Sequence, residues 1–332
     1  MNMAKRISQL GTETAFAVSD DAKTWAERGN TVYPFHLGDM NVRTPENIIE
    51  AAHKAMLDGK TGYCPAPGIP ELREAIAENI GIARHVKYDM KHVSVQPGGK
   101  PIIGKFLMVL MNPGDGVLYP NPGYPIYESQ IDFLGGVNQP YGYISTEQGF
   151  RINREQVEHA ITDKTRLFIY NNGQNPIGAE SDDEEMRWLA DLAIKHNWFV
   201  LSDEPYFDIR YSGNSQSIVS IPGMQERTII GYTYSKKYAM IGWRPGAAIG
   251  PEKITTIISK LNVNYEYRLG YTDEQKFRTD AFHETGISFC SRSHFGKLLP
   301  GEDKIFARFA YLGIDIHKTE EGLERLKNYW MA

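Results

Sequence analysis

The chain has no apolar run near the ~20 residues that cross a bilayer; FLMVLM, at Phe106–Met111, is among its longest and has the length of a core segment. Its N-terminus, MNMAKRISQLGTETAF, lacks the apolar stretch of a secretory leader. Cysteine is scarce. Cys64 and Cys290 stand apart, without metal-ligand or CxxC spacing, so neither a disulfide framework nor a thiolate metal site is expected, and a reducing cytoplasm fits best. Basic charge is not in excess either. The 36 Lys and Arg are outnumbered by 41 Asp and Glu, and a net charge of −5 argues against nucleic acid, whose phosphates demand a concentrated basic footprint. There is no internal repeat, no low-complexity segment and no G-x-G-x-x-G fingerprint of a dinucleotide fold.

What is present is an ordinary globular composition, 41% hydrophobic and 23% charged, in 332 residues that exceed one comfortable core and suggest two unequal domains. Short apolar runs alternate with helical patterns. Strands are expected at His92–Gln96, Gly116–Tyr119, Arg166–Asn171, Trp198–Asp203, Thr228–Tyr232 and Ala247–Gly250. Helices are expected near Lys100–Met111, Tyr124–Leu134, Glu155–Ala160 and Asp182–Lys195. Buried strands alternating with helices predict an α/β fold, a mainly parallel sheet sandwiched by helices. From Tyr265 onward a smaller α+β lobe is expected, with helices near Asp273–Thr285 and Thr319–Tyr329 and strands Ile287–Ser291 and Ile305–Ala310. The N-terminal segment, residues 1–45, is expected to pack on it. The large domain then covers residues 46–262 and the small one residues 263–332.

In such sheets ligands gather beyond the carboxyl ends of the strands, and the unusual residues fall there. Gly98, Gly99 and Lys100 follow one strand and open a helix, a place for an anion or for a plain tight turn. NNGQNPIG, at Asn171–Gly178, is a turn whose Asn175 can bond a ligand oxygen. SDEPYFD, at Ser202–Asp208, leaves Asp203 where it can hold a protonated ring nitrogen or cap a helix, with Tyr206 three residues on. YPNPGYPIY presents Tyr124 for packing or for stacking on a planar ring. SKKYAMIGWRPG, at Ser235–Gly246, sets two lysines among apolar neighbours, where desolvation lowers an amine's pKa and makes it a nucleophile. Each feature is ambiguous alone. Together they are the groups that pyridoxal 5′-phosphate requires.

These runs, with TGYCPAPGIPELREA at Thr61–Ala75, resemble the class I/II aminotransferases of the pyridoxal-phosphate fold type I, over about Leu37–Gly250 and again across the C-terminal lobe. The resemblance implies that Lys236 forms the Schiff base, with Lys237 at a variable, solvated or structural position. It implies that Arg244 and Thr233, with the amides near Gly99 and Lys100, bind the cofactor phosphate. Asp203 would be the pyridinium partner, Asn175 and Tyr206 the pair on the phenolic oxygen, and Tyr124 the stacking ring. Tyr63 would reach the phosphate of a neighbouring subunit, implying a homodimer with shared sites. Arg308, in FARFA, would grip the substrate α-carboxylate, and Gly38, in HLGDM, would lie in the loop closing over it. The activity implied is ping-pong transfer of an amino group from an α-amino acid to a 2-oxo acid through a Lys236 aldimine. No metal is implied. A β-eliminating C–S lyase or decarboxylase on the same scaffold, and a protein that binds the cofactor without turnover, remain the alternatives. The family normally carries several dozen more residues between the lysine loop and the carboxylate arginine. An interdomain segment is therefore expected to be missing near residues 263–265. Ser291-Arg292 stands where a proline-glycine is usual, and Gly173 and Ile177 replace the commoner proline and threonine.

Overall fold

The computed structural model describes residues 4–11, 15–33, 42–265, 290–291, 307–308 and 316–331. The chain divides into two compact units, Met1–Asn262 and Val263–Ala332.

The first unit is built on a seven-stranded sheet in the order β1-β9-β8-β7-β6-β2-β3. Its strands are β1 (Val93–Gln96), β2 (Gly116–Pro120), β3 (Val137–Tyr141), β6 (Thr165–Asn171), β7 (Phe199–Asp203), β8 (Thr228–Thr233) and β9 (Gly246–Ile249). All neighbours pair in parallel except β9, which runs antiparallel to both β1 and β8. A hairpin of β4 (Tyr143–Thr146) and β5 (Gly149–Ile152) stands apart from it.

The strands read as continuous apolar runs because both faces of the sheet are covered. Val117, Tyr119, Leu167, Ile169, Leu201, Ile229 and Ala248 form one face. They pack on α4 (Lys100–Leu110), α5 (Ile126–Phe133) and α9 (Glu252–Tyr265) through residues such as Phe106, Ile131 and Ile258. The intervening residues turn the other way, as the two-residue period requires. Leu118, Phe168, Tyr170 and Val200 meet α7 (Asp183–Lys195), while Ile230, Ala247 and Ile249 meet α3 (Pro70–Arg84). Each valine, leucine, isoleucine or phenylalanine among them contributes about 1.5–3 kcal/mol when fully buried. The short α6 (Arg154–Ala160) lies against β3.

Helix ends follow local chemistry. Asp182 caps α7 by accepting from the Glu185 amide at 2.9 Å. Helix α3 begins at a proline and ends at His85 in the left-handed region, φ 57°. Two amphipathic helices, α1 (Ala15–Glu27) and α2 (Glu46–Leu57), precede this core. A 3-10 turn at Lys5–Gln9 lies against α5, and the Gly11 amide donates to Ser129 Oγ at 2.9 Å.

In the second unit, β10 (Cys290–Ser291) and β11 (Ala307–Arg308) pair antiparallel, with Cys290 opposite Arg308. A last helix, α10, covers Ile316–Met331. The helix expected near Asp273–Thr285 lies outside the described residues, as do residues 287–289, 305–306 and 309–310 of the two expected strands.

Candidate active site

The carboxyl ends of β1, β8, β7, β6 and β2 lie at one end of the sheet, where β9 begins. The register lines up Gln96 with Gly246, Gly246 with Thr233, and Asn171 with Asp203. The loops that leave these positions carry the residues singled out in the sequence.

The β1–α4 loop holds Gly98 at φ 99°, a conformation that glycine adopts without strain. A side chain there would run into the Arg244 guanidinium, with Cβ only 2.8 Å from its Cζ. A Cβ on Gly99 would lie 3.6 Å from Thr233 Cβ. Bare backbone therefore faces the Thr233 side chain and a guanidinium at the start of α4. Thr233 caps the four-residue helix α8 (Tyr234–Lys237), accepting from the Ser235 amide at 3.2 Å. Its Oγ1 also donates to Ser235 Oγ at 3.0 Å. Arg244, itself at φ 59° and exposed, donates from Nη1 to the Ile241 carbonyl at 2.9 Å. Lys100 opens α4, with its Nζ 5.9 Å from the centre of the Tyr124 ring.

On the other side Asp203 ends β7. It is half-buried by surface area, yet its carboxyl lies among protein atoms and is pushed up to about 6. Desolvation is the main cause, Glu204 adds to it, and a hydrogen bond from Tyr127 works against it. That bond runs from the Tyr127 hydroxyl to Asp203 Oδ2 at 2.5 Å. Among the described residues no cationic side chain forms an ion pair with Asp203. Glu204 beside it is deeply buried and pairs with Arg84 at 2.6 Å, while Ser202 and Ser217 donate to its other oxygen at 2.7 and 2.5 Å.

Tyr206 follows in the turn after β7. Burial first, and the Asp203 charge second, raise its phenol pKa. Its ring centre lies 5.9 Å from Lys236 Nζ. Gly173, at φ 71°, makes room for this turn: a Cβ on it would lie 3.4 Å from Tyr206 Cβ. The asparagine loop is clamped to the same strand end. The Asn171 side chain donates to the Asp203 carbonyl at 2.8 Å and accepts from the Asn175 amide at 2.9 Å. Gln174 ties the loop to the Pro122 carbonyl at 2.7 Å, beside Tyr124. The two lysines part company: Lys236 is half-buried near Tyr206, while Lys237 pairs with Asp208 at 3.1 Å.

Thus Gly98, Gly99, Lys100, Thr233, Lys236 and Arg244 fall together, and Asp203, Tyr206, Asn175 and Tyr124 fall on the adjoining loops. Tyr63 is 95% exposed on the loop before α3. Gly38 lies outside the described residues, as does the Arg308 side chain. Tyr127, Asn171 and Ser235 join the site, although no sequence motif singled them out. Tyr127 lies in the first turn of α5, three residues after Tyr124 in the loop before it. Among the described residues no group of three or more His, Cys, Asp or Glu could hold a metal ion.

A family model described as aminotransferase class I and II matches residues 31–266. A probable aspartate/prephenate aminotransferase of Aquifex aeolicus is 34% identical over 263 residues, 78% of this chain and 66% of the relative. An aspartate aminotransferase of Musicola paradisiaca is 35% identical over 265 residues, 78% of this chain and 65% of the relative. The chain thus spans just under two thirds of the length of these relatives. Among solved structures, the aspartate aminotransferase from Thermus thermophilus with maleate superposes with a TM-score of 0.76 at 30% identity. That match covers 80% of this chain and 69% of the other.

Proposed function

Because the chain belongs to the class I and II aminotransferases, whose cofactor is pyridoxal 5′-phosphate, we propose that it moves the amino group of an α-amino acid onto a 2-oxo acid. The observation that carries this is one convergence. A half-buried lysine amine, a phenol and a desolvated carboxylate that pairs with no cation among the described residues meet on loops next to a backbone cradle. The donor set fits the cofactor at both ends. A dianionic phosphate suits amides at a helix start, hydroxyls and a guanidinium. A desolvated carboxylate suits a ring N–H that would bring it the missing positive charge.

On this reading Gly99 and Lys100 would hold the phosphate through their amides, Gly98 would keep the approach open by lacking a side chain while its own amide donates to the Gln96 carbonyl at 2.8 Å, and Thr233, Ser235 and Arg244 would complete the ring of donors. Asp203 holds the ring nitrogen and keeps its proton in place. Asn175 and Tyr206 hold the phenolic oxygen, and Tyr124 covers a ring face. When bound, the cofactor supplies an electron sink for the pair left by the breaking α C–H bond. Lys236 would hold the cofactor's aldehyde carbon through Nζ, and as a free amine the same Nζ would take the α-proton and return it as general base and acid.

Arg308 and Gly38 stay assigned to the substrate carboxylate on their sequence match alone. The names of these relatives support aspartate as the first amino donor to try. Exposed Tyr63, with Met56 and Leu57 on α2, supports a homodimer in which Tyr63 reaches the other copy's phosphate. No helix among the described residues is long and apolar enough to cross a membrane, and exposed free Cys64 suits a reducing cytoplasm, the location we propose.

The test is direct. The chain, loaded with pyridoxal phosphate and given aspartate, should form keto acid only when an acceptor such as 2-oxoglutarate is supplied. Lys236→Ala should lose the visible band of lysine-bound cofactor and at least about a thousandfold in turnover. Ammonia or carbon dioxide released without an acceptor would replace this reading with a lyase.

A further inference from the structure

Asp203 is anchored by a residue no functional motif drew out. Tyr127 has 0% of its surface exposed and places its hydroxyl 2.5 Å from Asp203 Oδ2, within the range of a hydrogen bond to an ionised oxygen. We propose that Tyr127 is a positioning residue of the site: its hydroxyl holds Oδ2 of Asp203 and leaves Oδ1 for the cofactor ring nitrogen. The inference rests on the aminotransferase reading for the identity of that ring, and on this chain's own geometry for the rest.

Three features make the tyrosine a fixed donor. It belongs to the first turn of α5, where its amide donates to the Tyr124 carbonyl at 3.0 Å. Its ring stands edge-on to Tyr124, 83° between planes and 5.8 Å between centres, inside the cluster of Phe106, Leu107 and Ile131. Burial, with Asp203 as a secondary cause, drives its phenol far above the ordinary range, so the proton stays on the tyrosine and the carboxylate accepts. The side chain cannot turn away without opening a void in the core.

Among the described residues, the other groups around Asp203 offer no equivalent. Glu204 continues the strand with a charge of the same sign, and its partner Arg84 is already engaged at 2.6 Å. Tyr206 lies in the following turn, its phenol also raised. From β6, Asn171 bonds the Asp203 backbone carbonyl and not the carboxyl. From β8 comes Gly231, where an added Cβ would stand 3.5 Å from Oδ1; this neighbour has neither charge nor bulk. Tyr141 and Tyr143 lie behind Tyr127 and are neutral. Without the hydroxyl, a desolvated carboxyl would keep its unfavourable terms and lose the favourable one, and it would take up a proton.

The experiment reads the carboxyl without the cofactor. In cofactor-free protein labelled with 13C at aspartate side-chain carboxyls, the Asp203 resonance is the one absent from Asp203→Asn. Its midpoint should lie near 6 in the parent chain and rise by about one to two pH units in Tyr127→Phe. Replacing Tyr127 with 3-fluorotyrosine makes the phenol a stronger donor, and should move the midpoint down. This second variant keeps the ring's shape and answers the question even where Tyr127→Phe loosens the fold. Midpoints unchanged in both would overturn the proposal. With cofactor bound, the acid limb of kcat should shift with the carboxyl, whereas a merely structural loss would scale kcat without moving the limb. A parent chain that fails to bind pyridoxal phosphate sinks the aminotransferase reading but leaves the carboxyl titration standing.

Discussion

The two halves of the site are built from opposite materials. At β1, β8 and β9 the donors are backbone amides, two hydroxyls and an exposed guanidinium, held by glycine and by Arg244 in a left-handed conformation. At β6, β7 and α5 they are side chains packed among protein atoms: half-buried Asp203 against buried Tyr127 and Asn171 and, behind them, Glu204 with Arg84. A phosphate brings its own charge and needs only converging dipoles. A ring nitrogen must be kept protonated, and that calls for an acid whose environment is set by the fold. On the proposed reading the wet half, open to solvent at its guanidinium, would recognise and the dry half would tune.

Breaking the dry half should cost most. Glu204→Gln leaves Arg84 buried without its counter-charge, and urea unfolding should show a loss of about 3–5 kcal/mol. Asp203→Asn should act in the opposite direction on the cofactor-free chain. Its carboxyl ordinarily titrates near 3.8 and is raised to about 6 in the fold, so the folded state holds the proton more tightly between those values. The native chain therefore loses stability as pH rises through that window. Asp203→Asn should be about 2–3 kcal/mol more stable than the parent at pH 8, relative to their difference at pH 4. Equal pH profiles would show that Asp203 is not desolvated.

On the wet half, Gly98→Ala forces strain and a clash with Arg244. Equilibrium titration should show cofactor affinity at least about tenfold weaker, with little change in the Asp203 midpoint. Affinity of the parent chain should fall with salt, because the guanidinium is exposed to screening. The smallest effect belongs to Lys237→Ala. Its ion pair with Asp208 is partly exposed, so stability should change by about 1 kcal/mol or less and the cofactor band should persist. A loss as deep as that of Lys236→Ala would reverse the assignment of the two lysines.

Much of the sheet was legible, since β2, β6, β7 and β8 are buried on both faces and their apolar runs stand out. The edge strand β3 was not: VNQPY mixes polar residues with a proline that only an edge tolerates. The exposed hairpin YIST–GFRI carries little hydrophobic signal. The antiparallel direction of β9 is equally hidden, because GAAI is apolar whichever way it runs. At the site, loops after strands announced themselves through glycine, proline and asparagine. Tyr127 did not, because in sequence it is one more aromatic in an amphipathic helix. Its role appears only when a partner 76 positions away comes within 2.5 Å.

The reversed course of β9 has one more consequence. Thr233 ends β8 opposite Gly246 at the start of β9, so the intervening residues form a return stitched into the sheet at both ends. A parallel strand would have sent the chain across the protein before it came back, and Lys236 and Arg244 would then hang from separate tethers. Here they share one short span between paired strand ends. Added length between them should loosen both grips at once, whereas the connections at the far end of the sheet can grow without either residue noticing.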